Sequence, residues 1–413
     1  MVSKSSTFRD DSELRGMANT EDHIHPLQQA TAMHYCAVPC YITMLYQFCK
    51  TTRDLKKGLI VFKEQPHLMV SFGDSACNTK QKIVSQIRMS DTYYYIENII
   101  YMIIAVIGIP VNLMAIVILS QGKCGISTCT TRYLVAMATA DLLVIITEVI
   151  LNQINYYYFP EYFLDITPVC SIVYALTSAA TECSVWFTVT FTFDRFVAIC
   201  CQKLKRKYCT EKTAALVLTT TCILLCLKNV PFYFIYEPEE LINDVPWFCN
   251  VKPSYYTQLE WVGFDWFDKV LTPLIPFTLI LLFNALTVKY ILVASRVRKG
   301  LRGRNKGMIR RDPEMESRRK SVILLFTISG SFILLWLVYV IEFFYYIITG
   351  TNPVGYSDGE YMFQQVGYML RSLNCCTNTF IYGATQSKFR QQFKSAMKYP
   401  VTSIIQLINN PKH

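Results

Sequence analysis

The apolar residues of this chain gather into long, nearly uncharged runs separated by short stretches dense in charge. A helix needs about 20 mostly apolar residues to cross the hydrocarbon core of a bilayer. Seven runs are long enough, at 96–119, 133–151, 169–200, 213–233, 261–294, 321–348 and 361–382. None shows the two-residue alternation of a barrel strand, so each predicts a helix. After the seventh run, Phe389, Phe393 and Met397 recur at i, i+4 and i+8 among four basic residues. That pattern suits a short amphipathic helix lying on a membrane surface, in contact with lipid. The predicted fold class is therefore an all-α membrane protein, a seven-transmembrane helix bundle followed by a short amphipathic C-terminal helix.

Composition agrees. The 413 residues are 52% hydrophobic and only 17% charged, against about 25% charge in a soluble domain. Sixteen cysteines are too sparse for a small disulfide scaffold. The formal net charge of +10 invites a nucleic-acid reading until the charges are located. The connections after spans one, three and five, with the segment after span seven, hold 22 basic residues against 4 acidic. The other three connections hold 9 acidic residues and one basic, Lys252. Basic short loops stay in the cytoplasm, which puts the N-terminus outside and the C-terminus inside. The net charge thus reads as sidedness, and no nucleic-acid partner is expected.

Three parts are expected: an extracellular, poorly ordered segment at 1–92, the membrane bundle at 93–385, and a cytoplasmic helix and tail at 386–413. The first segment shows no ordered signal-peptide pattern, so the first span is expected to act as a signal anchor. Its His23, His25, His34, Cys36 and Cys40 do not have the spacing of a usual zinc site. Met89 stands just before the first span, and residues 1–88 are expected to be dispensable or to reflect an alternative start. No Asn-x-Ser/Thr sequence occurs, so no N-glycan is expected. No cysteine follows Cys376, so no palmitoyl anchor is expected after the amphipathic helix.

Polar residues inside membrane spans are costly, so they mark function. The third span opens with Cys170 and closes with Asp194-Arg195-Phe196, Cys and Arg being 25 positions apart. The first span carries Gly108-Ile-Pro-Val-Asn112 and the second Asp141. The sixth carries Phe332 and Trp336, and the seventh Asn374 and Asn378-Thr-Phe-Ile-Tyr382. Over about residues 95–398 these motifs resemble the rhodopsin-like G-protein-coupled receptors. The resemblance implies a G-protein switch of Asp194, Arg195, Phe196, Asn284, Asn378 and Tyr382, and an activation toggle of Phe332 and Trp336. It also implies a disulfide from Cys170, for which Cys249 is the one other cysteine in the predicted outer loops. The chain departs from the pattern in four places. Phe196 replaces a Tyr, Val338 and Thr379 replace the prolines of spans six and seven, and span four has no Trp. Pro276 matches the fifth-span proline.

Asp141, Ser184, Trp336, Asn374 and Asn378 match the family's sodium pocket, which implies Na+ as an allosteric ion. A hydrogen-bond network without an ion is the other reading of the same set. No further cofactor is expected. The resemblance places ligand-binding candidates at Glu148, Thr177, Glu182, Tyr339, Glu342 and Arg371. Thr177 occupies the position of the amine receptors' Asp, so a biogenic amine is not expected. Glu148 and Arg371 could equally pair with each other. Stretches such as Ile107–Ser120, Ser184-Val-Trp-Phe-Thr-Val and Phe332-Ile-Leu-Leu-Trp336 resemble the orphan-type G-protein coupled receptor 139 subgroup. That subgroup implies an aromatic amino-acid or peptide-like ligand and Gq-type coupling.

The expected function is thus a plasma-membrane receptor that binds an extracellular peptide or small molecule and activates a heterotrimeric G protein. The alternative is a transporter or channel, which would show inverted repeats, and none is found. An enzyme is not expected. No His lies between His67 and His413, and no nucleophile elbow or phosphate loop appears.

Overall fold

The computed structural model describes residues 74–159, 161–302, 313–350 and 356–397, with side chains from Tyr93 onward except at 297–302 and 313–317. The expectations for residues 1–73, including the candidate zinc set, lie outside the described residues. So do residues 303–312 of the basic stretch and the tail from Lys398.

Seven long helices appear among the described residues. The first is Asp74–Ser120, whose apolar part is Tyr93–Ser120, so residues 74–92 extend the first span as helix. The next five apolar helices are Thr128–Tyr158, Thr167–Cys200, Glu211–Ile235, Leu259–Arg296 and Arg318–Thr349. These six are long and apolar enough to cross a membrane. The seventh, Asp358–Thr385, is long enough but more polar. Its buried Gln364, Ser372, Asn374 and Asn378 are turned into the bundle, which is why its composition understates its place there. It packs chiefly on the sixth helix and the first.

Local chemistry starts these helices. The Ser127 hydroxyl accepts from the Thr130 amide at 3.3 Å, and Thr210 accepts from the Thr213 amide at 3.2 Å. Such caps satisfy amides that have no partner within the helix. Ser357 and Glu360 form a reciprocal capping box on the seventh helix. Two helices are irregular. The second widens into a π-helix over Ile145–Ile154. The fifth breaks at Thr272 (φ −150°, ψ 107°), four residues before Pro276, the proline singled out in the sequence. Without an internal proline, the sixth helix runs unbroken over Pro313–Thr349.

The third helix is the axis, packed against the second, fourth, fifth and sixth. One core, including Met137, Phe187, Phe191, Tyr382 and Phe389, fills the end that carries Asp194 and Arg195. A second, of Val185, Val189, Ile280, Phe332 and Trp336, fills the middle. Outward, the fourth helix exposes Leu216, Ile223, Leu224 and Leu227. Such a face is stable in hydrocarbon and not in water.

At the opposite end a Cys170–Cys249 disulfide ties the third helix to two short hairpins. Tyr236–Glu237 pairs antiparallel with Asn250–Val251, and Glu240–Ile242 with Val245–Trp247. Asn243 and Asp244 turn the second hairpin at φ 53° and 61°. Both central residues of such a two-residue turn need positive φ, which Asn and Asp tolerate best after Gly. Past the seventh helix, residues 387–397 form the amphipathic helix. Phe389 is fully buried against Tyr382, and Arg390 donates to the carbonyls of Gly383 and Ala384. That contact caps the C-terminus of the seventh helix.

Candidate functional site

The deepest polar centre is built around Asp141, which is fully buried on the second helix. Ser184 of the third helix donates to one carboxylate oxygen, and Asn378 of the seventh donates to the other at 2.8 Å. Below them Asn112 ties the first helix to the seventh by donating to the Cys375 carbonyl at 2.8 Å. Thr379, standing where the family has proline, donates to Asn112 Oδ1 at 3.4 Å. The close approach needs Gly108, where a Cβ would stand 2.5 Å from Ile145 and 2.7 Å from Cys376. Asn374 is buried with its Oδ1 unpartnered. The carboxylate, hydroxyl and amide oxygens of Asp141, Ser184 and Asn374 are of the kind a hard monovalent cation prefers. The other two members of the expected sodium set play different parts. Asn378 turns its N–H toward Asp141, and Trp336 has only an N–H, which offers a cation no lone pair. Among the described residues, no cluster of three His, Cys, Asp or Glu could hold a metal.

Toward the disulfide end, Trp336 stacks on Phe332 at 5.3 Å and meets Tyr339 edge-on at 5.7 Å. Arg371 lies over Tyr339 and Tyr368, at 5.4 and 5.0 Å from the ring centroids, and donates to Glu148 at 2.5 Å. The structure therefore joins two of the ligand candidates to each other. Glu148 Oε2 and Arg371 Nε are both left unpartnered. Glu342 accepts from Tyr356 at 2.8 Å and from Gln364 at 3.2 Å. Thr177 spends its hydroxyl on the Val173 carbonyl of its own helix.

Glu182 belongs to a different group. It is buried between the third and fourth helices, bonded to Lys228 and, at 2.9 Å, to Asn229. Lys228 also bonds Asp268 of the fifth helix and lies over Phe232 and Phe264. Three spans are joined through one ammonium. The charges of Lys228 and Asp268 were visible in the sequence, but their meeting was not.

Sequence reasoning also missed a cavity of about 570 Å³ between the outer parts of helices one, two, three and seven. Its walls include Tyr94, Tyr156, Tyr157, Tyr174, Tyr361 and Tyr368, and it contains Glu97. The available signal was the tyrosine runs at 93–95 and 156–158.

At the far end Arg195 is held by its neighbour Asp194, with Nε 3.0 Å from the carboxylate. The Cys129 thiol donates to the second Asp194 oxygen at 3.3 Å, and Arg195 lies 5.9 Å from the Phe191 ring centroid. Asp194 is fully buried and Arg195 nearly so. Phe196 stacks on Phe283 of the fifth helix. Asn284 donates to the Ile280 carbonyl, and Tyr382 packs on Phe389 with its hydroxyl unpartnered. Among the described residues neither Asn284 nor Tyr382 hydrogen-bonds Arg195. The six switch residues are thus not assembled into one group.

Residues 111–382 match the profile of the 7 transmembrane receptor (rhodopsin family). The chain is 24% identical over 313 residues to the FMRFamide receptor of Drosophila melanogaster, covering 73% of this chain and 53% of that one. It is 24% identical over 299 residues to C-C chemokine receptor type 1 of Macaca fascicularis, covering 71% and 77%. It is 21% identical over 279 residues to cysteinyl leukotriene receptor 1 of Cavia porcellus, covering 66% and 76%. The chain spans about half the length of the Drosophila receptor.

Proposed function

Since the chain belongs to the rhodopsin family of seven-transmembrane receptors, we propose that it binds an extracellular ligand at its disulfide end and activates a heterotrimeric G protein at its basic end. It sits in the plasma membrane with its N-terminus outside, the orientation the loop charges favour. The observation that carries this reading is the buried Asp194–Arg195 pair, closed in by Cys129 and Phe191. A charge pair with two arrangements of similar energy is a switch, since a modest bias moves it from one to the other.

In the resting arrangement Asp194 occupies Arg195. Ligand contact above Trp336 shifts helices five to seven and frees Arg195, toward which Asn284 and Tyr382 then settle. The basic segments 201–213 and 296–320 form the docking face. Helices six and seven both lack the family's proline, so their bends come from repacking and not from a missing hydrogen bond. Thr379 instead links the seventh helix to Asn112. Na+, held by Asp141, Ser184 and Asn374, would favour the resting state by supplying positive charge beside a buried carboxylate.

The relatives' names point to peptide and lipid ligands, and the resemblance to the orphan-type subgroup favours a peptide or a small aromatic, amino-acid-like ligand with Gq-type coupling. The test is signalling in cells across several G-protein subtypes. Arg195→Ala is expected to abolish it while leaving surface expression. Signalling at the wild-type level by that variant would overturn the reading.

A further inference from the structure

We infer that the tyrosine-walled cavity around Glu97 is a recognition site for an organic cation, either the guanidinium of an arginine side chain or the primary ammonium of a peptide N-terminus. The inference rests on the receptor reading and names the chemistry of its ligand.

Glu97 is only 2% exposed, on the outer part of the first helix. Its one hydrogen bond among the described residues comes from the Tyr157 hydroxyl at a long 3.4 Å. It has no basic partner among the described residues. Arg371 lies over Tyr368 of the same cavity wall but bonds Glu148 instead. A buried carboxylate without a cation is costly, and a ligand that brings one offsets that cost. The cavity also contains Gln365, whose Oε1 is buried with no donor. Two acceptors short of donors call for a group rich in N–H, which ammonium and guanidinium are.

The aromatic walls select for the same chemistry. A cation over a ring face is attracted by the ring's quadrupole, and more strongly where water is excluded. Two of the walls are braced from outside the cavity or by its carboxylate: Tyr174 stacks on Tyr236 at 4.8 Å, and the Tyr157 hydroxyl donates to Glu97. An anionic ligand would meet the buried Glu97 carboxylate, a charge of the same sign. The volume of about 570 Å³ admits a dipeptide amide.

The test uses the purified full chain in lipid nanodiscs, with thermal stabilisation as the measure of binding. N-acetyl-phenylalanyl-arginine amide carries only a guanidinium, and phenylalanyl-citrulline amide only an ammonium. N-acetyl-phenylalanyl-citrulline amide is a neutral analogue of nearly the same shape. At least one cationic probe is expected to bind saturably where the neutral one does not, and which one binds identifies the source of the cation. Glu97→Gln is expected to weaken that probe by roughly tenfold or more. Equal binding of neutral and cationic probes, no binding of either cation, or a folded Glu97→Gln chain of wild-type affinity would each overturn the inference. If Glu97→Gln fails to fold, the comparison of probes on the wild-type chain decides alone. Binding is read without a G protein, so this outcome is separate from that of the Arg195→Ala signalling test.

Discussion

Arg371 on the seventh helix reaches Glu148 on the second, 223 positions away in sequence, at 2.5 Å. The pair lies against the aromatic layer of Tyr339 and Tyr368, one step above Trp336. It closes helix two on helix seven and leaves Glu148 Oε2 and Arg371 Nε without a hydrogen-bond partner.

Removing one partner would strand a charge in a poorly solvated site. Glu148→Ala is expected to lower stability by about 3 kcal/mol, the usual cost of breaking a buried pair. The reversed pair, Glu148→Arg with Arg371→Glu, should recover part of that loss. Melting of the purified receptor in detergent checks this, and a wild-type melting temperature for Glu148→Ala would show that the pair does not hold the helices.

Lys228 faces Glu182 and Asp268 together. Lys228→Met should therefore destabilise more than Glu182→Gln, because it leaves two carboxylates with no cation between them. Adding Asp268→Asn to Lys228→Met should restore stability. Melting of Lys228→Met, Asp268→Asn and the double variant against wild type measures the coupling, and strict additivity would argue against a shared cluster.

The Asp141 centre predicts ion-linked stability. Wild-type receptor should melt higher in sodium chloride than in N-methylglucamine chloride, with a gain that grows as the logarithm of sodium concentration. Asp141→Asn should remove the difference. A wild-type receptor indifferent to sodium would leave the centre as a hydrogen-bond network only.

The Cys170–Cys249 bond closes a segment of 79 positions. Cys249→Ser should cost roughly 2–5 kcal/mol, the range for loss of a native disulfide. Reduced surface labelling in cells would report it, and Cys170→Ser should match, since each variant breaks the same bond.

Glu360 lies in the first turn of the seventh helix, outside the apolar stretch 361–382. Hydrogen bonds from Tyr345 and from the Ser357 hydroxyl and amide hold its carboxyl down to about 2. A depressed carboxylate stabilises the fold above its unfolded value of about 4.3, and that contribution fades as pH falls toward 2. The melting difference between wild type and Glu360→Gln should be constant above about pH 5 and shrink below it. A difference independent of pH would argue against the charged capping box.

Much of the architecture was legible because membrane insertion is a local, additive property of sequence. Spans of 20 apolar residues and loops of one sign need no knowledge of packing. The seventh span shows where that logic weakens. Its Arg371, Asn374 and Asn378 look wrong for lipid because they never meet it. The tyrosines of the outer cavity carried no legible purpose, since they come from four separate helices and meet only in the fold.

The sequence alone determined that the chain forms seven hydrophobic helices with a basic face at one end, and it named most of the polar residues that matter. Only the tertiary structure decided their partners: Glu148 with Arg371, Glu182 with Lys228, Ser184 and Asn378 with Asp141, and Glu97 with no cation among the described residues. The reason is physical. Hydrophobic length is counted along the chain, but a buried charge is neutralised by whatever the folded bundle brings within a few ångströms of it.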